Sequence, residues 1–391
     1  VLKDRTAAIA AARAMLPRLR ARAKQVDADR MVPAETVREL MDSGLFGVLT
    51  PRCFGGSDLG LATLVDVTVE IASACGSSGW VYGVLAGHSW LVNLFPIAAQ
   101  EEILGNHALA ATVFRFAGEV REEGGGYRLT GGEGRFCSGI DHAQWVVIGN
   151  QLLREGQPPE PMFFVIPRSD VSEIVDDWYV AGLRGTASKT IKVSNAFIPA
   201  HRAVRVADMM TGTSPGALHH KKPVYRMPWR EIAPFSLIGV PIGIARSGVT
   251  AFAESLRKPM ANFTAEQIAE QSATLARLAI VSADVDAAYA TVMESAQRID
   301  AARDPSDLTP EQHNRISRDW AYAAQRSRQG VNTLFEVAGG SATYDFSDLQ
   351  RIWRDANAAS QHVAFTWDSA MTGFGRSLVG APPSKFGPKG R

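Results

Sequence analysis

The run Gly134-Arg-Phe-Cys-Ser-Gly-Ile-Asp-His142 sits inside a part of the chain whose texture differs from everything around it. Downstream of it, Trp145-Val-Val-Ile148, Phe163-Phe-Val-Ile166 and Thr190-Ile-Lys-Val193 are short, β-branched or aromatic, and separated by turn residues. That is the signature of strands. Gly124-Gly-Gly126 and Gly131-Gly132 are turn punctuation just upstream. The strand texture extends from about Ala111 to Val206. Asp141 and His142 read as turn residues, and Ser138 by itself reads as a turn serine.

Away from this centre the chain reads as helical in both directions. Ala, Arg and Leu dominate Thr6 to Val26, and Pro33-Ala-Glu-Thr-Val-Arg-Glu-Leu-Met-Asp-Ser-Gly44 predicts a short helix closed by glycine. After the loop Thr50-Pro-Arg-Cys-Phe-Gly-Gly56, Leu61 to Leu94 predicts two helices separated near Gly76-Ser-Ser-Gly79. On the other side, Asp208 to Arg230 is polar, with Gly, Pro and adjacent histidines. It is expected to be an irregular loop of the kind that serves as a substrate lid. Four long helical segments follow. Thr264-Ala-Glu-Gln267 is a capping box ahead of an apolar stripe at Ile268, Leu275, Leu278, Val285, Tyr289, Val292 and Ile299. Thr309-Pro-Glu-Gln312 starts another helix, ended by Gly339-Gly340. Ser347-Asp-Leu-Gln350 opens the last, which is expected to run to about Gly373. The tail from Pro382 to Arg391 is expected to be loose. The fold class is α+β, in three parts: an N-terminal helical domain over 1–110, a central β-barrel or sandwich domain over 111–207, and a C-terminal four-helix bundle over 208–391 that carries the 208–230 loop.

Composition narrows the function. At 391 residues the chain exceeds a single small core, and 46% hydrophobic residues is ordinary for a globular protein. Formal charge is 41 − 40 = +1, which gives no reason to expect a nucleic-acid partner or an anionic membrane surface. No apolar run is expected to be long enough to span a bilayer, because Trp80 to Ile97 is broken by His88, Ser89, Asn93 and Pro96. The N-terminus carries no signal-peptide stretch, and Cys53, Cys75 and Cys137 are odd in number without metal-like spacing. A reducing cytoplasm is the expected location. His219-His220 lacks a cysteine or carboxylate at ligand spacing, so no metal site is expected. No Gly-x-Gly-x-x-Gly follows a strand, so hydride from a nicotinamide would have to arrive from elsewhere.

Helices, then strands, then a bundle, with specific local stretches, resembles the acyl-CoA dehydrogenase architecture over nearly the whole chain. Glu39-Leu-Met-Asp-Ser-Gly-Leu-Phe-Gly-Val-Leu-Thr-Pro51 with Phe54-Gly-Gly56 is similar to that family's early helix and turn. Gly182-Leu-Arg-Gly-Thr-Ala-Ser188, leading to Asn195-Ala-Phe-Ile-Pro199, resembles the end of its β-domain. Ala338-Gly-Gly340 and Arg351-Ile-Trp-Arg-Asp355 resemble the start of its last helix pair. A dehydrogenase of this fold would carry a catalytic glutamate in a Glu-Gly-Thr run. Here Arg354-Asp-Ala-Asn-Ala-Ala-Ser-Gln-His362 and the following Val363 lack it.

Within that fold the details resemble the oxygenase component of two-component flavin monooxygenases, the relatives that hydroxylate hydroxyphenylacetate or steroid-derived phenols, or oxidise dibenzothiophene. Gly79-Trp-Val-Tyr-Gly-Val-Leu-Ala-Gly-His88 is similar to their Gly-Trp helix bearing an active-site histidine. Phe136-Cys-Ser138 resembles their flavin-facing segment, Tyr225-Arg-Met-Pro-Trp229 the loop into their bundle, and His362 their C-terminal histidine. Asn357 stands where some members have a second histidine. The resemblance implies reduced FMN, or alternatively FADH2, supplied by a separate flavin reductase. It also implies O₂, a small aromatic and phenolic substrate, a C4a-hydroperoxide, and a homotetramer.

On this resemblance His88, Ser138 and His362 are the expected catalytic residues. Ser138 would meet flavin N5, and His88 would take or share the phenolic proton, a role suited to a side chain of ordinary pKa near 6.5. Phe136, Ser138, Thr186 and Ser188 are expected at the cofactor, and Trp80, His88 and Trp90 at the substrate. The bland alternatives stay open. A histidine in an apolar helix is also an ordinary core residue, His362 on a bundle helix could face solvent, and tryptophans most often pack. The competing function is acyl-CoA dehydrogenation, which needs a carboxylate base, tightly held FAD and an acyl-CoA groove. A non-catalytic scaffold is the third.

Overall fold

The computed structural model describes residues 1–220, 222–257, 267 and 272–382. The start of the capping box at Thr264, the stripe residue Ile268 and the tail beyond Pro382 lie outside the described residues.

The N-terminal part is helical. Helix α1 (Arg5–Asp29) starts at Asp4, whose carboxylate accepts from the Ala7 amide. This is the N-cap bond that satisfies an otherwise orphaned donor. Helix α2 (Ala34–Asp42) closes as expected on Gly44, in the left-handed region at φ 76°. Helices α3 (Leu61–Ala74) and α4 (Gly76–Val92) are separated by the single extended residue Cys75, and α5 (Ile97–Ile103) follows. The break therefore precedes Gly76-Ser-Ser-Gly79, which forms the first turn of α4. Gly79 serves packing rather than turning, since a Cβ there would lie 2.5 Å from Ala72 Cβ on α3.

The described strands form one nine-stranded sheet, mostly antiparallel. They are β1 (Ala110–Val113), β2 (Phe116–Glu123), β3 (Gly126–Cys137), β4 (Trp145–Leu152), β5 (Glu160–Pro167), β6 (Glu173–Val175), β7 (Lys189–Lys192), β8 (Asn195–Pro199) and β9 (Ala203–Arg205). Along the main path the order is β6-β7-β3-β2-β4-β5-β9, with β1 parallel to β4 and β8 on β3. Strand β3 pairs with β8 over Gly126–Thr130 and then with β7 over Glu133–Cys137. Gly182-Leu-Arg-Gly-Thr-Ala-Ser188 leads straight into β7, so the two quoted motifs lie side by side.

Between Val206 and Ile232 the structure differs from the irregular loop expected. Val206–Thr211 (α6), Pro215–His220 (α7), Pro223–Arg226 (α8) and Trp229–Ile232 (α9) are short helices. Met209, Ala217, Tyr225 and Met227 are buried beneath them. A segment polar in composition is ordered here by those few apolar anchors.

Helix α10 (Phe235–Leu256) is the spine of the C-terminal part, packed on α3, α4 and α12 (Pro310–Ala338). The stretch Trp229–Leu256 is long and apolar enough to cross a membrane, with mean hydropathy 1.5, against the expectation of no such run. Its burial against neighbouring helices accounts for the apolar composition. Helix α11 (Ser272–Ala301) buries Val285, Val292 and Ile299 as the stripe predicts, whereas Leu275 is exposed. The expected last helix is interrupted: α13 (Asp348–Ala359) and α14 (Trp367–Leu378) flank a 3₁₀ turn at Val363–Phe365. His362 is extended at the entry to that turn and does not lie on a bundle helix.

Candidate active site

Helix α4 places two of the expected residues. Gly79, Gly83 and Gly87 recur every fourth position, which puts them on one face. A Cβ at Gly83 would fall 2.0 Å from Ser236 O, and one at Gly87 2.4 Å from Ser236 Cβ. The stripe lets α4 touch α3 and the start of α10 backbone to backbone. Trp80 and His88 are carried on this closely seated helix.

Ser138 is aimed by a β-bulge. Between Gly134 and Cys137 strand β3 spends one residue more than its partner β7, where Ile191 and Lys189 stand opposite. Phe136 takes up the difference at φ 65° and turns its ring out, 68% exposed, edge-on to Trp178 at 6.0 Å. Bulges re-aim side chains in this way. Ser138 turns inward, and the Gly139 amide donates to Thr186 O at 3.3 Å, which ties the two motifs together. Four side chains then form one chain of hydrogen bonds. Trp80 Nε1 donates to Ser138 Oγ at 3.1 Å, Ser138 and Ser188 hydroxyls lie 2.7 Å apart, and Ser188 and Thr186 hydroxyls 2.8 Å apart. Thr186 Oγ1 donates to Leu183 O at 2.9 Å. Ser138, Thr186 and Ser188 are all buried.

His88 occupies a different setting. Its Nδ1 lies 2.7 Å from Ala110 O and 3.0 Å from Thr112 Oγ1. A carbonyl can only accept, so Nδ1 carries the proton and Nε2 presents a lone pair. Burial pulls the imidazole down to about 4, opposed weakly by the Ala110 carbonyl, and the ring is neutral at pH 7. Phe114 meets its edge at 6.5 Å, Phe114 stacks on Trp229 at 5.6 Å, and Phe163 packs edge-on to both. Trp229 Nε1 is buried without a hydrogen-bond partner among the described residues. This aromatic wall comes from the β1–β2 link, β5 and α9, and neither Trp80 nor Trp90 is among its rings. Trp90 is turned into the core, where its Nε1 donates to Val224 O at 3.2 Å and pins α8.

Trp80 links the hydroxyl chain to His362, with ring centroids 5.8 Å apart. His362 Nδ1 accepts from the Ala364 amide at 3.3 Å, which places its proton on Nε2. Desolvation between Trp80 and Phe365 pulls this imidazole to about 4 as well. The structure thus brings Ser138, Thr186, Ser188, Trp80 and His362 together, and sets His88 two turns along α4 from Trp80.

The Arg351-Ile-Trp-Arg-Asp355 stretch is structural support. Asp355 Oδ1 accepts from the Leu183 amide at 2.6 Å, and Arg354 bridges Asp27 at 2.7 Å and Ala181 O at 2.8 Å. Leu183 and Ala187 sit at φ 53° and 44°, left-handed positions unusual for residues with a Cβ, and these clamps hold the turn there. Burial raises Asp355 to about 6, against the opposing pull of the Leu183 amide and Arg351. Asn357 donates to Asn332 Oδ1 and Trp353 O inside the bundle. Val363, where a dehydrogenase base would stand, is 74% exposed and carries no acid.

A cavity of about 320 Å³ lies along a neighbouring stripe of α4, lined by Phe46, Thr50, Leu85, Ser89 and His107. It reaches neither His88 nor Ser138, and the hydrogen-bond geometry locates the site better than the cavity does. Cys137 is buried with its thiol pushed up by desolvation, which leaves it inert. His142 Nε2–H donates to Val32 O at 3.0 Å, as a turn residue would. No group of three or more metal-ligating side chains exists among the described residues.

The donor set fits a flavin. Ser138 retains a free lone pair at the end of a buried chain, and Arg184, in the turn that carries Thr186, has a buried Nε with no acceptor among the described residues. Arg184 was not singled out from sequence, although its place within Gly182–Ser188 was the available signal.

Residues 4–103 match the acyl-CoA dehydrogenase N-terminal domain, and residues 236–367 match the acyl-CoA dehydrogenase C-terminal domain. The flavin-dependent monooxygenase oxygenase subunit HsaA of Mycobacterium tuberculosis is 34% identical over 385 residues, 97% of each chain. The FADH2-dependent resorcinol hydroxylase oxygenase component of Rhizobium is 31% identical across 93% of this chain and 92% of its own. The crystal structure of the M. tuberculosis HsaA monooxygenase superimposes with TM-score 0.90 at 33% identity, covering 98% of this chain and 99% of that one.

Proposed function

The chain belongs to the acyl-CoA dehydrogenase-fold family of flavin-dependent monooxygenase oxygenase subunits, and from that premise we propose how its own residues divide the work of hydroxylating a phenol. It is the oxygenase component of a two-component system, an enzyme that works with reduced flavin and a reductase partner on an aromatic substrate. Reduced flavin supplies the electrons that activate O₂.

His88 holds the substrate hydroxyl. Its Nδ1–H is committed to Ala110 O, so the Nε2 lone pair would accept a hydrogen bond from the phenol and share its proton, which raises electron density on the ring; with the imidazole lowered to about 4 by burial, sharing rather than full transfer is the role it can take. Phe114, Phe163 and Trp229 form the wall against which the aromatic ring lies, and they keep water from it. Ser138, held by Trp80 and Ser188, would hold the flavin at N5. His362, beside Trp80, would offer its Nε2–H to the cofactor. Arg184 supplies a cation for a flavin phosphate, with FMN as the preferred form and FAD as the other. The functional unit is a homotetramer in the cytoplasm.

The observation that carries this assignment is the fixed tautomer of His88 beside an aromatic wall. Dehydrogenation of a thioester has no comparable support, because Val363 is no base and Asp355 is tied to the Leu183 amide. The test is turnover under ¹⁸O₂ with a generic flavin reductase, NADH, FMN or FAD, and a panel of phenols. One labelled oxygen per product is expected. Anaerobic bleaching of a firmly bound yellow flavin by an acyl thioester would overturn the assignment.

A further inference from the structure

We propose that Glu231 and His313 are positioning residues for the aromatic wall: their ion pair fastens the one-turn helix α9 to the bundle helix α12 and so fixes where Trp229 stands against the substrate ring. This rests on the placement of the substrate at Phe114, Phe163 and Trp229 given above. Helix α9 has four residues, Trp229–Ile232. A single turn is too short to hold itself, so its place is set by what it touches. Trp229 lies on Phe114 and Phe163, and Ile232 is buried. Glu231, two positions from Trp229, leaves the turn on another side. Its Oε2 meets His313 Nδ1 at 2.5 Å. The His313 end is rigid. It lies in the first turn of α12, directly after the reciprocal Thr309–Gln312 cap, and its own amide donates to Thr309 O at 3.1 Å.

The neighbouring ion pairs of this segment are weaker holds. Arg226 and Asp304 are 43% and 42% exposed, and Lys222, paired with Asp58, is 48% exposed, whereas His313 and Glu231 are 24% and 20% exposed. Pairs open to water are screened, and sheltered charged hydrogen bonds are less so. Two partners favour charge on the ring. The Glu231 carboxylate raises the imidazole above its ordinary value against desolvation, and the Pro305 carbonyl adds to the rise. Both only accept, so an imidazolium satisfies them and a neutral ring leaves one facing a lone pair. The remaining charges on the surrounding elements are engaged elsewhere or exposed. Asp307 pairs with Arg303, Arg315 pairs with Glu294 and Asp319, Arg230 lies over the Trp229 indole at 5.8 Å, and Glu311 is exposed. The pair is therefore intact below the folded pKa of His313 and loosens as pH rises through it.

Glu231→Gln and His313→Gln keep a polar side chain of similar size and remove its charge. The full chain is assayed with a generic flavin reductase, NADH, FMN and a panel of phenols that stay un-ionised over the range used, about pH 6–9. Each single variant should raise KM for the phenol roughly two- to tenfold and lower product per NADH consumed, with affinity for reduced FMN unchanged. The double variant, whose two amides can bond each other, should be no worse than either single one. Wild-type KM should rise on the alkaline side, and that rise should vanish in both single variants. Labelling with 5-fluorotryptophan adds a readout free of turnover. The ¹⁹F resonance of Trp229, assigned by its loss in Trp229→Phe, should shift with pH in wild type and stay constant in Glu231→Gln. Should a variant fail to fold, the wild-type titration alone decides. A pH-independent Trp229 resonance overturns the proposal, and so do an unchanged KM or losses that simply add in the double variant. If wild type hydroxylates no phenol, the functional assignment itself falls, and the role proposed here falls with it.

Discussion

Two desolvated histidines, His88 buried and His362 half-buried, share nearly the same depressed pKa, about 4, yet present opposite chemistry. His88 gives its Nδ1 proton to a carbonyl and keeps an acceptor at Nε2, whereas His362 accepts an amide at Nδ1 and keeps a donor at Nε2. The difference comes from a single backbone partner in each case. Around His88 the neighbours are aromatic, and around His362 they lead through Trp80 into hydroxyls. One end of α4 therefore presents an acceptor among aromatic rings, and the other a donor beside a chain of hydroxyls.

Removing the acceptor is the harshest way to break this comparison. His88→Asn can keep a donor for Ala110 O but loses the Nε2 lone pair. Hydroxylation should fall about 10²–10⁴-fold, with affinity for reduced FMN unchanged within about twofold, a factor small against the general-base effect. His362→Gln should instead lower the yield of product per flavin oxidised. Product analysis alongside flavin titration checks the pair, and equal damage to substrate turnover from both would erase the distinction.

Acidity probes the same asymmetry through stability. His88 has a folded pKa below its unfolded value, so its neutral form contributes stability that is present above about 6.5 and lost as pH falls towards about 4. The shift corresponds to about 3 kcal/mol. Asp355 opposes it. With its pKa raised to about 6, it binds a proton more readily in the folded chain, contributing stability below its unfolded value that is lost as pH rises through about 6. Asp355→Asn keeps an acceptor for the Leu183 amide. It should gain up to about 3 kcal/mol over wild type at pH 7, with the difference closing towards pH 4. Urea unfolding across pH 4.5–8 measures it, and a constant difference would mean that Asp355 titrates normally.

The mildest probe is the aromatic wall. Trp229→Phe removes a buried donor that has no partner among the described residues. If that indole N–H meets the substrate, KM should rise roughly tenfold or less, with kcat little changed. If KM is unchanged and thermal stability rises, the N–H serves no ligand.

The parts of this site that were legible in the sequence came from contiguous runs. Phe136-Cys-Ser138, Gly182–Ser188 and Gly79–His88 each carry their own local geometry, and their residues are close together once β3 and β7 pair. The wall was not legible. Phe114, Phe163 and Trp229 come from three distant elements, and Phe163 inside its strand looks like any other core residue. Trp90 was favoured because it flanks His88 in sequence, but on a helix neighbours two apart point to different sides. The turn at His362 leaves little mark in the sequence, because alanines recur from Ala356 to Ala359 as in a continuing helix and the turn is fixed by the His362 side chain capping Val363–Phe365.

The glycines at 79, 83 and 87 have a bearing on how such an enzyme could change its diet. A methyl group at any of them would collide with backbone or Cβ atoms of adjoining helices, so the mounting for Trp80 and His88 tolerates almost no innovation. The short helices from Val206 to Ile232 contribute Trp229 to the aromatic wall through α9 and rest on a handful of apolar pegs. New preferences among phenols would be acquired there, by exchanging what overhangs a reaction centre that itself stays fixed.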